Sequence, residues 1–89
     1  MKNILFIKEY DFNGNIIYYK DSNGFEYWYD SNGKVIHYKN SDGYEQWYEY
    51  ASNGNIIHWW NSKGIEQWWD SDGYPISKEQ YDILYGTHA

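Results

Sequence analysis

The chain contains no cysteine and no arginine, and only one of its 89 residues is proline. Without cysteine, disulfides cannot stabilise the fold, and cysteine usage does not indicate the cellular compartment. All seven cationic residues are lysines, and the net charge is −6. Because phosphate binding needs a basic face and arginine is the preferred bidentate reader of bases, we expect no direct binding of nucleic acid. We expect a protein partner with a basic surface instead.

Long apolar runs are also missing. The run Ile4–Ile7 is too short for a signal peptide or a membrane span, so we expect no membrane contact and a cytoplasmic location, which is the host cytoplasm if a phage encodes the chain. The mean hydropathy is −0.96, yet 24% of the residues are aromatic, including twelve tyrosines and six tryptophans. Each aromatic side chain can bury about 150–250 Å², so the material for one small domain is present.

Two kinds of segment alternate between regularly spaced glycines. The first, Phe25–Asp30, returns at 44–49 and 65–70; the second, Asn15–Lys20, returns at 34–39 and 55–60. Both are rich in β-branched and aromatic residues and are bounded by Asp/Asn-Ser-Asn/Asp-Gly turns. The pattern predicts an all-β antiparallel meander of tandem β-hairpin repeats. We expect about eight short strands, at 4–11, 15–20, 25–30, 34–39, 44–51, 55–60, 65–69 and 74–76.

The two ends differ from the repeats, as terminal units of an array should. We expect one domain over 1–89, with an N-terminal capping strand in 1–14, hairpin repeats in 15–76 and a short helical cap in 77–86. Ser77 and Gln80 form a capping-box pattern, and Gly86 marks the end of the helix. Pro75 fits an edge strand, because it cannot donate to a ladder.

Repeat spacing bears on which side chains share a face. Ile17 and Ile36 are 19 residues apart, and Ile36 and Ile57 are 21 apart, both odd numbers. A four-residue loop at Asp21–Gly24 and a three-residue loop at Ser31–Gly33, built from a type I turn and a glycine bulge, would keep equivalent residues on one face. With this choice of loops, one face of the sheet would hold Ile17, Tyr19, Glu26, Trp28, Ile36, Tyr38, Glu45, Trp47, Ile57, Trp59, Glu66 and Trp68.

The opposite face would then hold Tyr18, Phe25, Tyr27, Tyr29, Val35, His37, Tyr44, Tyr48, Ile56, His58, Trp60 and Trp69. Both faces are rich in apolar and aromatic residues, so the sheet must curl, wind into a solenoid or be covered by another copy. We expect either a homodimer or a monomer curled until one face is internal.

The units Gly24–Gly33 and Gly64–Gly73 resemble two known repeat types. One is the YD-type hairpin repeat of Rhs-like proteins, with its Tyr-Asp-x-x-Gly core, which is matched at Tyr29–Gly33. The other is the choline-binding or cell-wall-binding repeat, with Trp-Tyr before an Asp-rich turn and glycine; here the second strand, Ile-Ile-x-Tyr, departs from that repeat's Met-x-x-Gly-Trp pattern. The resemblance covers residues 9–76 and implies a β-hairpin array. The recurring motifs also resemble those of small acidic hairpin-repeat proteins of low-GC bacteria and their phages.

Recurring glutamates beside aromatic residues form the main candidate binding site. One interpretation is a row of aromatic cages for a cationic or quaternary ammonium ligand, each cage with a carboxylate. The other is structural, with each glutamate accepting cross-strand hydrogen bonds or pairing with lysine. The candidate binding residues are Glu26, Glu45, Glu66, Trp28, Trp47, Trp68, Tyr19, Tyr38 and Trp59, together with Trp60 and Trp69, where aromatic density is highest.

No catalytic grouping is expected. Repeated identical glutamates offer no distinct acid and base, and His37 and His58 are placed too far apart to share a metal. We expect no metal, no cofactor and no enzyme activity. The leading hypothesis is a non-catalytic protein–protein interaction module, such as a small acidic stoichiometric inhibitor. The alternative is a module that binds cell-wall glycan or a choline-type ligand.

Overall fold

A computed structural model describes residues 6–86 and confirms an all-β antiparallel meander with a short C-terminal helix. Eight strands form one sheet in sequence order, as the repeats predict. Residues 4 and 5 of the first predicted strand lie outside the described residues. The elements are β1 (Phe6–Tyr10), β2 (Ile16–Asp21), β3 (Glu26–Tyr29), β4 (Val35–Lys39), β5 (Glu45–Tyr50), β6 (Ile56–Asn61), β7 (Glu66–Trp69), β8 (Pro75–Ile76) and α1 (Lys78–Tyr85).

Residue contacts divide the chain into two compact units, the first ending at Trp47 and the second beginning at Tyr48. The described part of the first unit contains only strands and turns. The described part of the second unit adds α1 to its strands. The single domain over 1–89 stays a prediction.

All seven hairpin turns share one hydrogen-bond pattern. The N–H of the first turn residue donates to the carbonyl four residues on, at 2.8–3.1 Å, and the N–H of the glycine donates back to the first residue at 2.9–3.2 Å. Each turn glycine has φ between +83° and +93°, which only glycine adopts at little cost. These features define a type I turn with a glycine bulge. The prediction of a separate four-residue loop at Asp21–Gly24 is wrong.

The side chain of the first turn residue explains why the turns are so uniform. In six turns this residue is Asp or Asn, and its Oδ1 accepts hydrogen bonds from the backbone N–H groups two and four residues on. The seventh turn starts at Ala51, where Asn53 Oδ1 accepts from the N–H of Asn55 instead. Local side-chain capping thus sets the same loop everywhere.

The odd repeat spacing is absorbed by β-bulges and not by a second kind of turn. The register shifts between Glu9 and Tyr10 on β1, and between Trp28 and Tyr29 on β3. At the second shift, Trp28 pairs with His37 while Tyr29 pairs with Val35, so Ile36 is the extra residue on β4. One inserted residue reverses the alternation of side chains along a strand.

The predicted face assignment is consequently wrong for half of the strands. Trp28 pairs with Tyr18 and His37, and Trp47 pairs with His37; none of these pairs was predicted to share a face. Tyr27, expected on the face opposite Tyr19 and Tyr38, instead pairs with both. In the second unit, Trp68 pairs with His58, Trp60 with Glu66 and Trp59 with Gln67. The glutamates therefore face away from Tyr19, Tyr38 and Trp59.

The C-terminal cap forms as predicted. The Ser77 hydroxyl accepts the N–H of Gln80 at 3.1 Å, and Gly86 follows the last helical residue. The helix packs against β7. In residues 6–86, no helix has the length and apolar character that crossing a membrane requires.

Burial is shallow throughout the described chain. Ile57 is its one buried hydrophobic residue, at 7% exposure, and Asn61 its one buried polar residue. The aromatic side chains of β2 to β7 are mostly half-buried, and Phe6 and Tyr10 of β1 are more than half exposed. Ring-to-ring contacts along the sheet faces, more than a deep core, therefore supply the apolar packing.

Candidate functional site

One face of the first unit carries a continuous stack of rings, which we call the histidine face. The ring centroids of Tyr18 and Trp28 are 5.2 Å apart, those of Trp28 and His37 4.2 Å, and those of His37 and Trp47 4.9 Å. The His37 imidazole lies nearly parallel to both indoles, at 16° and 11°. Each contact joins directly paired residues on adjacent strands, so the sheet register builds this stack.

Two of the recurring glutamates bind rings of this stack. Glu26 Oε1 accepts the Tyr18 hydroxyl at 2.5 Å, and Glu45 Oε1 lies 2.8 Å from His37 Nε2. The space between Trp28 and Trp47, where a ligand cation would sit beside Glu45, contains the imidazole of His37. These contacts match the cross-strand hydrogen bonds of the structural interpretation.

A denser version of this arrangement lies in the second unit. His58 Nδ1 is 2.6 Å from Glu49 Oε1, and Nε2 is 2.9 Å from Glu66 Oε2. The imidazole stacks on Trp60 and Trp68, at 4.3 and 5.4 Å between centroids. Its side chain is only 14% exposed, whereas those of Glu49 and Glu66 are 50% and 44% exposed.

The helix completes this cluster. The ring of Tyr81 lies 5.2 Å from that of His58, and its hydroxyl donates to Glu49 Oε1 at 3.2 Å. Tyr85 in turn contacts Tyr81 at 5.3 Å. The cluster therefore joins β5, β6, β7 and α1.

Two tyrosines in these clusters are held in the protonated form. The hydrogen bond to Glu26, with burial and the charges of Glu26 and Glu9, raises the pKa of Tyr18 to about 12. Burial first, and then the charge of Glu49, raises the pKa of Tyr81 to about 12. A phenol that donates to a carboxylate loses that bond on ionisation, so both groups favour the neutral phenol.

The contacts of His58 occupy both of its ring nitrogens. Both nitrogens of His58 already contact carboxylate oxygens, and the ring is covered on its flat sides, so a substrate has no open nitrogen to approach. Within residues 6–86, no group of three or more histidine and acidic side chains is placed to hold a metal ion.

The opposite face of the first unit is built from tyrosine and phenylalanine, and we call it the tyrosine face. Its rings run from strand to strand: Phe6 to Tyr19 at 5.7 Å, Tyr19 to Tyr27 at 5.9 Å and Tyr27 to Tyr38 at 5.1 Å. Phe25 stacks on Tyr38 and Tyr29 stacks on Tyr27, both at 6.4 Å. Tyr19 also donates to Asp21 Oδ2 at 3.3 Å.

The predicted site residues are thus divided between two faces. Glu26, Glu45, Trp28 and Trp47 lie on the histidine face, and Tyr19 and Tyr38 lie on the tyrosine face. In the second unit, Glu66, Trp60 and Trp68 surround His58, whereas Trp59 and Trp69 alternate to the other side of β6 and β7. The predicted cages that combine a glutamate with Tyr19, Tyr38 or Trp59 do not form.

Sequence reasoning missed the partners that fill the predicted cages. The spacing contained a usable signal, because Tyr18, His37 and His58 each precede their glutamate by eight residues, as Glu26, Glu45 and Glu66. Glu49 had no such signal, because aspartate stands at the equivalent positions, Asp30 and Asp70. Tyr81 had none either, since it lies in the helix and outside the repeats.

No protein-family model and no curated protein matches this chain. The functional argument therefore rests on the geometry of the two faces.

Proposed function

We propose that the chain is a non-catalytic module that binds a protein partner through the tyrosine face of its first unit. The observation that carries this proposal is a continuous aromatic surface. Residues 6–47 contain only strands and turns, so no helix of this unit packs over either face. The rings of this face contact one another and are mostly half-buried, and Phe6 remains 56% exposed. Tyrosine-rich surfaces of this kind supply binding energy at protein interfaces.

The two faces of the first unit differ in how their polar groups are used. On the histidine face, the carboxylates of Glu26 and Glu45 are engaged by Tyr18 and His37. On the tyrosine face, the hydroxyls of Tyr27, Tyr29 and Tyr38 make no hydrogen bond to residues in the described range 6–86. A partner can therefore bind both the rings and the hydroxyls of the tyrosine face without breaking an internal bond.

Charge favours a basic partner. The net charge of −6 attracts a basic surface and accelerates encounter at low ionic strength. A short acidic chain that covers such a surface would act as a stoichiometric inhibitor. Its association should weaken as salt shortens the screening length, which is about 8 Å at physiological ionic strength.

The test is partner capture from the native host by two variants that differ in the face they change. Tyr38→Gln alters the tyrosine face, and Lys39→Gln alters the next residue, which points to the histidine face. We expect Tyr38→Gln to weaken capture at least tenfold and Lys39→Gln less than twofold, with capture by the unmodified chain falling at high salt. Circular dichroism of both variants verifies the fold.

The competing ligand class is tested with the isolated chain. Calorimetric titration with choline and with cell-wall oligosaccharides should give no saturable binding. Saturable binding of either, with no protein partner recovered, would overturn the proposal. Light scattering of the isolated chain tests self-association, and a dimer that Tyr38→Gln dissociates would show that the tyrosine face serves a second copy instead.

A further inference from the structure

A concavity of about 360 Å³ opens on the tyrosine face, lined by Tyr19, Asp21, Phe25, Tyr27 and Tyr29. We propose that this concavity, the tyrosine cage, receives the ammonium group of a lysine side chain from the protein partner. The proposal rests on the proposed function, because it names the partner chemistry that the tyrosine face recognises. Four rings and one carboxylate are the elements that bind an alkylammonium ion in proteins.

The geometry places the carboxylate at the edge of the aromatic lining. Asp21 ends β2, and its Oδ1 is occupied by the backbone N–H groups of Asn23 and Phe25. Among residues 6–86, its Oδ2 accepts the Tyr19 hydroxyl alone, at the long distance of 3.3 Å. A carboxylate oxygen can accept more than one hydrogen bond, so Oδ2 keeps capacity for an incoming donor. Tyr19 is thereby oriented with its ring toward the lining.

The carboxylate of Asp21 is the charged group of this lining. Burial, followed by the charge of Asp21, raises the pKa of Tyr19, and burial raises the pKa of Tyr29. Both rings therefore stay neutral while Asp21 supplies the charge. A lysine fits such a lining because its long apolar stem can lie along the rings while its ammonium group reaches the carboxylate.

Comparison between the repeats indicates that the cage belongs to the first repeat alone. The position of Asp21 is occupied by Asn40 and Asn61 in the other two repeats. The position of Tyr27 is occupied by Gln46 and Gln67 in those repeats. The later repeats thus lack both the charge and the central ring, although they form the same turns and strands.

This comparison also supplies conservative variants. Asn40 and Asn61 make the same two Oδ1 hydrogen bonds to the turn backbone as Asp21 does. Asp21→Asn should therefore remove the charge and keep the turn. Tyr27→Gln should remove the ring and keep the strand, as glutamine does at the equivalent positions of β5 and β7.

The experiment measures binding of short probes by nuclear magnetic resonance of the tyrosine rings. The probes are an acetylated Gly-Ser-Lys-Ser-Gly amide peptide, the same peptide with norleucine in place of lysine, and tetramethylammonium chloride. We expect the lysine peptide to bind with a dissociation constant on the order of 1 mM, because exposed cation–π contacts are weak. The norleucine peptide should bind at least tenfold more weakly.

The variants locate the site. Asp21→Asn should weaken the lysine peptide about fivefold, the size expected for one exposed charge pair at about 4 Å, and Tyr27→Gln should weaken it by a similar factor. Lys39→Gln, on the opposite face, should leave binding unchanged. Perturbed signals should come from Tyr19, Tyr27 and Tyr29.

Three results would overturn the cage: equal binding of the lysine and norleucine peptides, no effect of Asp21→Asn, or binding of tetramethylammonium without the lysine peptide. The last would assign the concavity to a small free ion. If any of these results is obtained while the chain still captures a host partner, the cage is excluded and the proposed function is not. Lysine selectivity that depends on Asp21, with no partner captured, supports the cage and counts against the proposed function.

Discussion

Replacing His58 by alanine should destabilise the protein more than replacing His37. The two imidazoles occupy the same position of successive repeats and both stack on two indoles. They differ in their polar partners, because His58 contacts two carboxylates and His37 contacts one in the contacts described above. His58 also contacts the ring of Tyr81. The pair of variants therefore isolates the value of the additional contacts.

The magnitude follows from these differences. A hydrogen bond to a charged group contributes about 1.5–3 kcal/mol, but Glu49 and Glu66 are about half exposed and can rehydrate, so we take about 1 kcal/mol for each. Each ring contact adds about 0.5 kcal/mol. His58→Ala should then lower the free energy of unfolding by about 3.5 kcal/mol, and His37→Ala by about 2 kcal/mol.

Urea denaturation followed by tryptophan fluorescence measures both values. A double-mutant cycle between His58→Ala and Glu49→Gln should give a coupling of about 1 kcal/mol. His58→Tyr is the matched control, since Tyr18 fills this position in the first repeat and binds its glutamate through the hydroxyl. Equal losses for the two alanine variants, or a coupling near zero, would refute the view that the carboxylates stabilise the second unit.

Two further predictions concern the first unit. The pKa of Tyr18 is about 12, and it should fall toward 10 in Glu26→Gln, as followed by tyrosinate absorbance. The folded pKa lies above the unfolded value, so the hydrogen bond from Tyr18 to Glu26 contributes to stability below pH 10. This contribution is lost as pH rises toward 12. Gly24→Ala should lower the thermal unfolding midpoint more than Gly33→Ala. Both variants place alanine at a positive φ, but only at Gly24 would the new Cβ lie 2.8 Å from Ser41 Cβ. Equal losses in the midpoint would show that Ser41 moves aside freely.

Strands, turns and cap could be predicted because their causes are local. Asp or Asn at the start of a turn and glycine at its fourth position specify the loop, whatever the strands do. Ser77 and Gln80 specify the start of α1 in the same way. The end of a strand follows directly from the start of the next turn.

The faces could not be predicted because one inserted residue controls them. Ile36 belongs to an unbroken β-branched and aromatic run, and nothing in its type marks it as the extra residue of β4. The odd spacing between repeats showed that an irregularity existed, but either a second turn type or a bulge satisfied it. The backbone hydrogen-bond pattern common to all seven turns makes the bulge the remaining place for the irregularity.

The repeats themselves separate structural positions from binding positions. Glutamate, tryptophan and the ring that precedes the glutamate by eight residues recur in all three repeats, and in each repeat the glutamate binds that ring across the ladder. Because this contact recurs in every repeat, we interpret it as one that holds adjacent strands together. Asp21 and Tyr27 have no equivalent in the later repeats, and their carboxylate and ring line the same concavity. Strand pairing is the same with asparagine and glutamine at these positions, so it does not require Asp21 or Tyr27. We therefore propose recognition of a cationic partner as the role of these two residues.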